Sequence, residues 1–155
     1  MQNPKFFRGF TLIELLVVIA IIAILAALVL NTAGFIQKKG ARARAEAEIA
    51  ALSAALESYK ADNGDYPSNS AADPDTTGVP NTAGNSLIMT NLSPKVANEK
   101  VYFEFSKNMT NATTILDPFG EAYGYRYPGK KNGSNFFDLW SRGGSSITNQ
   151  WIGNW

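Results

Sequence analysis

The sequence predicts an α+β fold in which one long amino-terminal helix lies on a small antiparallel sheet of about three strands. Three features point to it. Residues 15–30 are apolar without interruption, Ala45, Ile49, Leu52, Leu56 and Tyr59 recur at spacings of four, three, four and three, and short strand-like segments bounded by turn residues fill the last third of the chain. An unbroken apolar run suits a helix in lipid, and a stripe at helical spacing suits a helix with one buried face. Segments rich in aromatic and β-branched residues between Gly, Pro, Asn and Asp suit strands.

Composition narrows the function. The chain has 155 residues, room for one domain of ordinary size, and its net charge is +1 with 14 basic and 13 acidic residues. It offers no overall electrostatic footprint for nucleic acid. Neither cysteine nor histidine occurs. Disulfides, thiolate metal sites, cysteine nucleophiles, Ser-His-Asp catalysis and histidine-based zinc chemistry are therefore excluded.

The first element is the apolar stretch from Phe10 to Leu30, long enough to span a hydrocarbon core of about 30 Å. Lys5 and Arg8 precede it, so the positive-inside rule predicts a cytoplasmic amino terminus and export of everything beyond Leu30. A secretory signal would end in a small-residue cleavage site; the segment LNTAG at 30–34 fits one poorly. One anomaly stands inside the stretch. Glu14 is ionisable, and a carboxylate in hydrocarbon costs about 3 kcal/mol or more unless it reaches the interface or a partner.

Beyond Leu30 the helix is expected to continue, now amphipathic. Ile49, Leu52, Leu56 and Tyr59 are its face for packing on the head, while Arg42 with Glu46 and Arg44 with Glu48 form i,i+4 pairs on a surface read as solvated. Gly64 and Pro67 mark its end. A helix from Phe10 to Asn63 would be about 80 Å long, so its first half must be covered by lipid or by sister helices.

Residues 65–85 read as a long surface loop, and Leu87, Ile88 and Leu92 as a short helical turn closed by Ser93 and Pro94. Strands are expected at 101–105 (VYFEF), around Tyr123, Tyr125 and Tyr127, whose alternation gives them one face, and at 135–141 (NFFDLWS). The DPFG sequence at 117–120 has the composition of a type I turn. Aromatic side chains at 123, 125, 127, 136, 137 and 140 are read as core rather than as a stacking platform for bases. Asp117 is assigned to the turn, Glu121 to solvent, and Asp138 to a strand with no evident partner; no catalytic role follows from any of them.

The string GFTLIE at 9–14, following a basic leader and opening an apolar stretch, resembles the processing site of type IV prepilins and type II secretion pseudopilins. The segments YKADNGDYP at 59–67, DPFGEAYGYRYPG at 117–129 and FDLWSRGG at 137–144 resemble the helix end, central hairpin and final strand of the major pseudopilin of type II secretion. The resemblance implies a pilin fold with a leader at 1–9, a membrane and assembly half of the helix at 10–34, an amphipathic half at 35–64 and a head at 65–155. It implies cleavage between Gly9 and Phe10 by a prepilin peptidase, methylation of Phe10, and a glutamate at the fifth mature position, Glu14, that guides assembly.

The chemistry suits that spacing. Cleavage creates an ammonium at Phe10 about 6 Å along the axis from Glu14, so the carboxylate can meet its own amine or that of a neighbouring helix. The expected function is a structural subunit of a secretion pseudopilus. It would be a homo-oligomeric helical filament, working with other pseudopilins and an inner-membrane assembly platform, and without nucleic acid. Before assembly it would cross the inner membrane once; afterwards it would stand in a periplasmic or extracellular filament. A type IV pilin, or a membrane-tethered module binding a ligand through 65–100, are the alternatives.

Two departures from the family's pattern are visible. Asn31 stands where pilin-like proteins often have proline, leaving Asn31, Thr32 and Gly34 as a softer helix break in the filament. Major pseudopilins generally bind calcium in the loop after the last strand, but residues 139–155 contain no carboxylate, so Ser145, Ser146, Thr148, Asn149 and carbonyl oxygens would form a weak site. No metal or cofactor is expected. Burial of Trp151, Ile152 and Trp155 is then expected to hold the tail.

Overall fold

The computed structural model describes residues 9–68, 82–94 and 99–155. Lys5 and Arg8 of the leader and the loop segment 69–81 lie outside the described residues. Helix α1 runs Leu12–Asn63 and helix α2 Thr82–Leu92; five short strands follow, β1 Thr110–Asn111, β2 Thr114–Ile115, β3 Gly124–Arg126, β4 Asp138–Ser141 and β5 Ile152–Gly153. The chain divides into two compact units, one ending at Lys39 and the other starting at Gly40.

The first unit is the apolar part of α1. Its large side chains from Leu12 to Val29 are between 46% and 81% exposed, a surface that water would not tolerate. The helix is long and apolar enough to cross a membrane. In such a helix every backbone group is satisfied within the segment, as hydrocarbon requires. The backbone stays helical through Asn31, Thr32 and Gly34.

The second unit is the head. Ala45, Ile49, Leu52 and Leu56 of α1 are buried in one cluster with Ile88 and Leu92 of α2, Met109, Ile115, Tyr123, Tyr125, Phe137, Leu139 and Ile152. Tyr59 is half-buried at the edge of this core, where its hydroxyl donates to Asn91 Oδ1 at 3.0 Å. The stripe expected from the spacing is thus the face on which the head is built. Helix α1 stops as its last residues dictate: Gly64 has φ +87° and its N–H returns to the Lys60 carbonyl at 2.7 Å.

Strands β3, β4 and β5 form an antiparallel sheet with β4 in the centre; β1 and β2 form a separate antiparallel pair. The register sets Gly124 opposite Trp140 and Tyr125 opposite Leu139. Gly124 has to be glycine, because a Cβ there would collide with the Trp140 indole lying across it. Gly84 serves the same purpose between layers: a side chain on it would run into the Tyr125 carbonyl, and α2 packs directly on β2 and β3.

Two strand expectations are corrected. Residues 101–105 form no strand, since the N–H groups of Tyr102 and Phe103 both go to the Leu92 carbonyl at the end of α2, at 2.8 and 3.1 Å. Their rings are absorbed locally, Tyr102 edge-on to Tyr59 and Phe103 against Phe105. The third strand is β5 instead, from the tryptophan-rich tail. The strand expected at 135–141 shortens to 138–141 because Phe136 turns back to the Gly133 carbonyl at 3.2 Å.

Candidate assembly site and head supports

The site begins at Gly9 and Phe10, both exposed. Helix α1 starts two residues later, and TLIE at 11–14 is a capping box that the sequence reading overlooked. The Thr11 N–H donates to Glu14 Oε2 at 2.8 Å, the Thr11 hydroxyl donates to the same oxygen at 2.6 Å, and the Glu14 N–H donates back to Thr11 Oγ1 at 3.3 Å. Two otherwise orphaned helix-start donors are satisfied, and the carboxylate gains partners that do not depend on cleavage. Phe10, Ile13, Glu14, Val17 and Val18 line a shallow groove beside it. While residues 1–9 are attached, the Phe10 nitrogen is an amide and carries no charge to meet Glu14.

In the head, three polar residues do more than the sequence suggested. Asp138 is buried at 3% exposure and is not without partners: Oδ2 accepts from the N–H groups of Lys130 and Lys131 at 2.6 and 2.9 Å, and Oδ1 from that of Asn132 at 2.9 Å. It organises the loop joining β3 to β4. Asp117, also buried, does more than start a turn. Its Oδ1 accepts from the N–H groups of Phe119 and Glu121, both at 2.9 Å, and its Oδ2 accepts from the Ser141 hydroxyl, linking the turn to β4. Glu48 is the third. It pairs with Arg44 at 2.7 Å as the spacing implied, but it also accepts from the Tyr123 hydroxyl at 2.7 Å, so this part of the helix surface is tied to the sheet.

Glu121 is half-exposed, with the Arg142 Nε 4.0 Å from its carboxylate. Asp117, Asp138 and Glu48 are thus engaged in structural hydrogen bonds. Asn85, unnoticed in the sequence, is fully buried. Its amide donates to the carbonyls of Ile115 and Tyr123 at 2.9 and 2.8 Å and accepts from the Ile115 N–H, which locks α2 to both sheets.

The tyrosines share this network. Burial pushes the Tyr123 and Tyr125 phenols well above their ordinary 10.0, with the Glu48 carboxylate adding to the effect at Tyr123. Burial, then the bond to Glu57, raises Tyr66; the bond to Asp65 raises Tyr127; burial raises Tyr59. A raised folded value stabilises the protonated phenol. The stability these groups supply is complete below about pH 10 and is lost as the pH climbs beyond it. In a spectrophotometric titration of the six tyrosines, most of the tyrosinate absorbance is expected to appear together with unfolding, above pH 10. Free titration of Tyr59, Tyr66, Tyr123, Tyr125 and Tyr127 at about 10 with the fold intact would contradict the packing.

The Ser145 hydroxyl donates to Gln150 Oε1 at 2.8 Å and accepts from the Ile147 N–H at 3.1 Å, while the Ser145 carbonyl accepts from Trp151 Nε1 at 3.1 Å. Both oxygens of Ser145 are thus bonded within the tail, whereas calcium favours several oxygens with carboxylates among them. Among the described residues no three His, Cys, Asp or Glu side chains stand together as metal ligands.

Besides the pairing of β5 with β4, indole packing and one amide hold the tail. Trp140 and Trp151 lie parallel with centroids 6.4 Å apart. Asn154 Oδ1 accepts from the Leu139 N–H and from Asn132 Nδ2, at 3.0 and 2.9 Å, and its own Nδ2 donates to the Phe137 carbonyl at 3.1 Å. Ile152 is buried, but Trp151 is half-buried and Trp155 is 47% exposed. Burial of the three tail residues is therefore only part of what anchors the segment.

An apolar helix that opens on a capped glutamate, followed by an amphipathic half that supports an α+β head, defines a pilin-like subunit. The prokaryotic N-terminal methylation motif matches residues 5–30, and the family described as type II secretion system (T2SS), protein G matches residues 35–154. The chain belongs to this protein G family. It is 34% identical to a type II secretion system core protein G of Pseudomonas aeruginosa, over 95% of this chain and 94% of that one. It is 33% identical to the core protein G of Vibrio cholerae, over 100% and 96%, and 34% identical to that of Escherichia coli, over 96% and 90%.

Proposed function

We propose that this chain is a structural subunit of a type II secretion pseudopilus, made as a membrane-inserted precursor and polymerised through its amino-terminal helix to support protein export. The observation that carries this reading is the methylation motif on residues 5–30 followed directly by the protein G region on 35–154, in a chain that aligns with core protein G along nearly its whole length. A prepilin peptidase cuts the Gly9–Phe10 bond and the new amine of Phe10 is methylated. Residues 1–9 are then the leader, 10–34 the membrane and assembly half, 35–64 the amphipathic half, and 65–155 the head.

The precursor crosses the inner membrane once with its amino terminus in the cytoplasm and its head outside. On assembly the ammonium at Phe10 of one subunit meets Glu14 of the next, with other pseudopilins and an inner-membrane platform as partners. The subunit is a substrate of processing enzymes, has no catalytic role of its own, and uses no metal or cofactor.

The intact mass of the mature protein tests this. The expected value is that of residues 10–155 plus one methyl group; a chain that keeps residues 1–9 in cells with an active prepilin peptidase would overturn it.

A further inference from the structure

Between Glu14 and Glu46 the chain carries four cations, Lys38, Lys39, Arg42 and Arg44, and no anion. The leader before the span has only Lys5 and Arg8. The flank beyond the span is thus more basic than the leader in front of it. Such a cluster needs a reason on the outer side of the membrane.

The four cations differ in what they meet. Arg44 is engaged by Glu48 at 2.7 Å. The guanidinium of Arg42 stands where a side chain on Gly143 would strike it, so it lies against the head. Lys38 and Lys39 are exposed, and among the described residues they have no ion-pair partner. Beside them, Phe35 is 72% exposed and Ile36 64%. Phe35 stands three residues before Lys38 and four before Lys39, so the aromatic ring and both ammonium groups share one side of the helix.

Depth along the helix then identifies the ligand. Lys38 and Lys39 lie about 12–14 Å beyond Leu30, where the apolar run ends, and Phe35 about 7 Å beyond it. If Leu30 marks the hydrocarbon boundary, the headgroup layer covers this interval, with aromatic rings at its inner part and lysines reaching the phosphates. We infer that Phe35, Lys38 and Lys39 form a binding site for the headgroup of an anionic phospholipid in the outer leaflet of the membrane the helix spans. The site fixes the depth at which an unassembled subunit rests, and the lipid must be released when the subunit leaves the membrane for the filament. This inference rests on the membrane-inserted, head-outside reading given above.

The test uses the full-length chain in detergent, mixed with equal amounts of phosphatidylglycerol and phosphatidylcholine and examined by native mass spectrometry. The parent should retain phosphatidylglycerol in clear preference. Each lysine near a membrane surface contributes roughly a fivefold factor, so K38Q/K39Q should reduce that preference about 25-fold, whereas K38R/K39R should keep it and K107Q should not change it. Glycerol phosphate without acyl chains should give no adduct.

Equal retention of both lipids by the parent, or a preference unaffected by K38Q/K39Q, would overturn the inference while leaving the membrane reading intact. A dimer that disappears in K38Q/K39Q without any lipid preference would also overturn it, assigning the lysines to a second copy of the chain. A full-length chain that stays monodisperse without detergent and binds no lipid would overturn the membrane reading as well.

Discussion

Glu14→Gln is expected to abolish filament formation while leaving both the helix start and the head intact. The substitution separates two roles that one carboxylate holds. A glutamine at this position still accepts from the Thr11 N–H, because capping boxes work with either side chain, so the start of α1 is preserved. What is lost is the negative charge. In a packed filament the ammonium created at Phe10 of a neighbouring subunit would then be left in low dielectric without its counter-ion, a far larger penalty than losing an exposed ion pair.

Sedimentable filament should fall roughly tenfold or more, and membrane insertion and leader removal should continue as in the parent. Thr11→Ala makes the converse change, weakening the cap and keeping the charge, and a smaller loss is expected. If Glu14→Gln assembled as well as the parent, the carboxylate would matter only as a cap.

The second large effect is expected at Asp138. Its carboxylate is the acceptor for three backbone N–H groups from Lys130, Lys131 and Asn132, and it is itself buried. Asp138→Ala leaves those donors without an acceptor at a site shaped around it, and the cost is about 3–5 kcal/mol. For a head of this size the thermal midpoint should drop by roughly 10–20 °C, as followed by circular dichroism. Asp138→Asn keeps one acceptor oxygen and should lose less. A midpoint unchanged in the alanine variant would show that the β3–β4 loop does not depend on this residue.

Much of this was legible in the sequence because it is periodic or local. The apolar run, the stripe on α1 and the Asn63–Gly64 stop each depend on residues close together in the chain, and α1 follows them from Leu12 to Asn63. Alternation places Tyr123 and Tyr125 on one face, a small sheet over one helix needs such large side chains in its core, and both are buried.

The misses share a different cause. Asp138 bonds to a loop six to eight residues away, Asn85 to segments 30 and 38 residues away, and Asn154 to residues 15 to 22 away. A single polar letter carries no sign of such partners. VYFEF has strand composition, yet the carbonyl at the end of α2 took the N–H groups that a ladder would need. The Thr11–Glu14 box is the exception. Its T-x-x-E spacing is local and lies within the GFTLIE motif itself.

In the proposed filament, cleavage creates an amine at Phe10 which pairs with Glu14 of another subunit. Carbodiimide treatment of assembled filaments tests it most directly, since this reagent joins a carboxylate to an amine only where the two are in contact. No Lys or Arg occurs between Phe10 and Lys38, so trypsin releases both groups on one peptide, residues 10–38. The expected product has two copies of that peptide joined through residue 10 of one and Glu14 of the other, and it is absent from Glu14→Gln chains. A product in which residue 10 is joined only to Glu14 of its own peptide would contradict it.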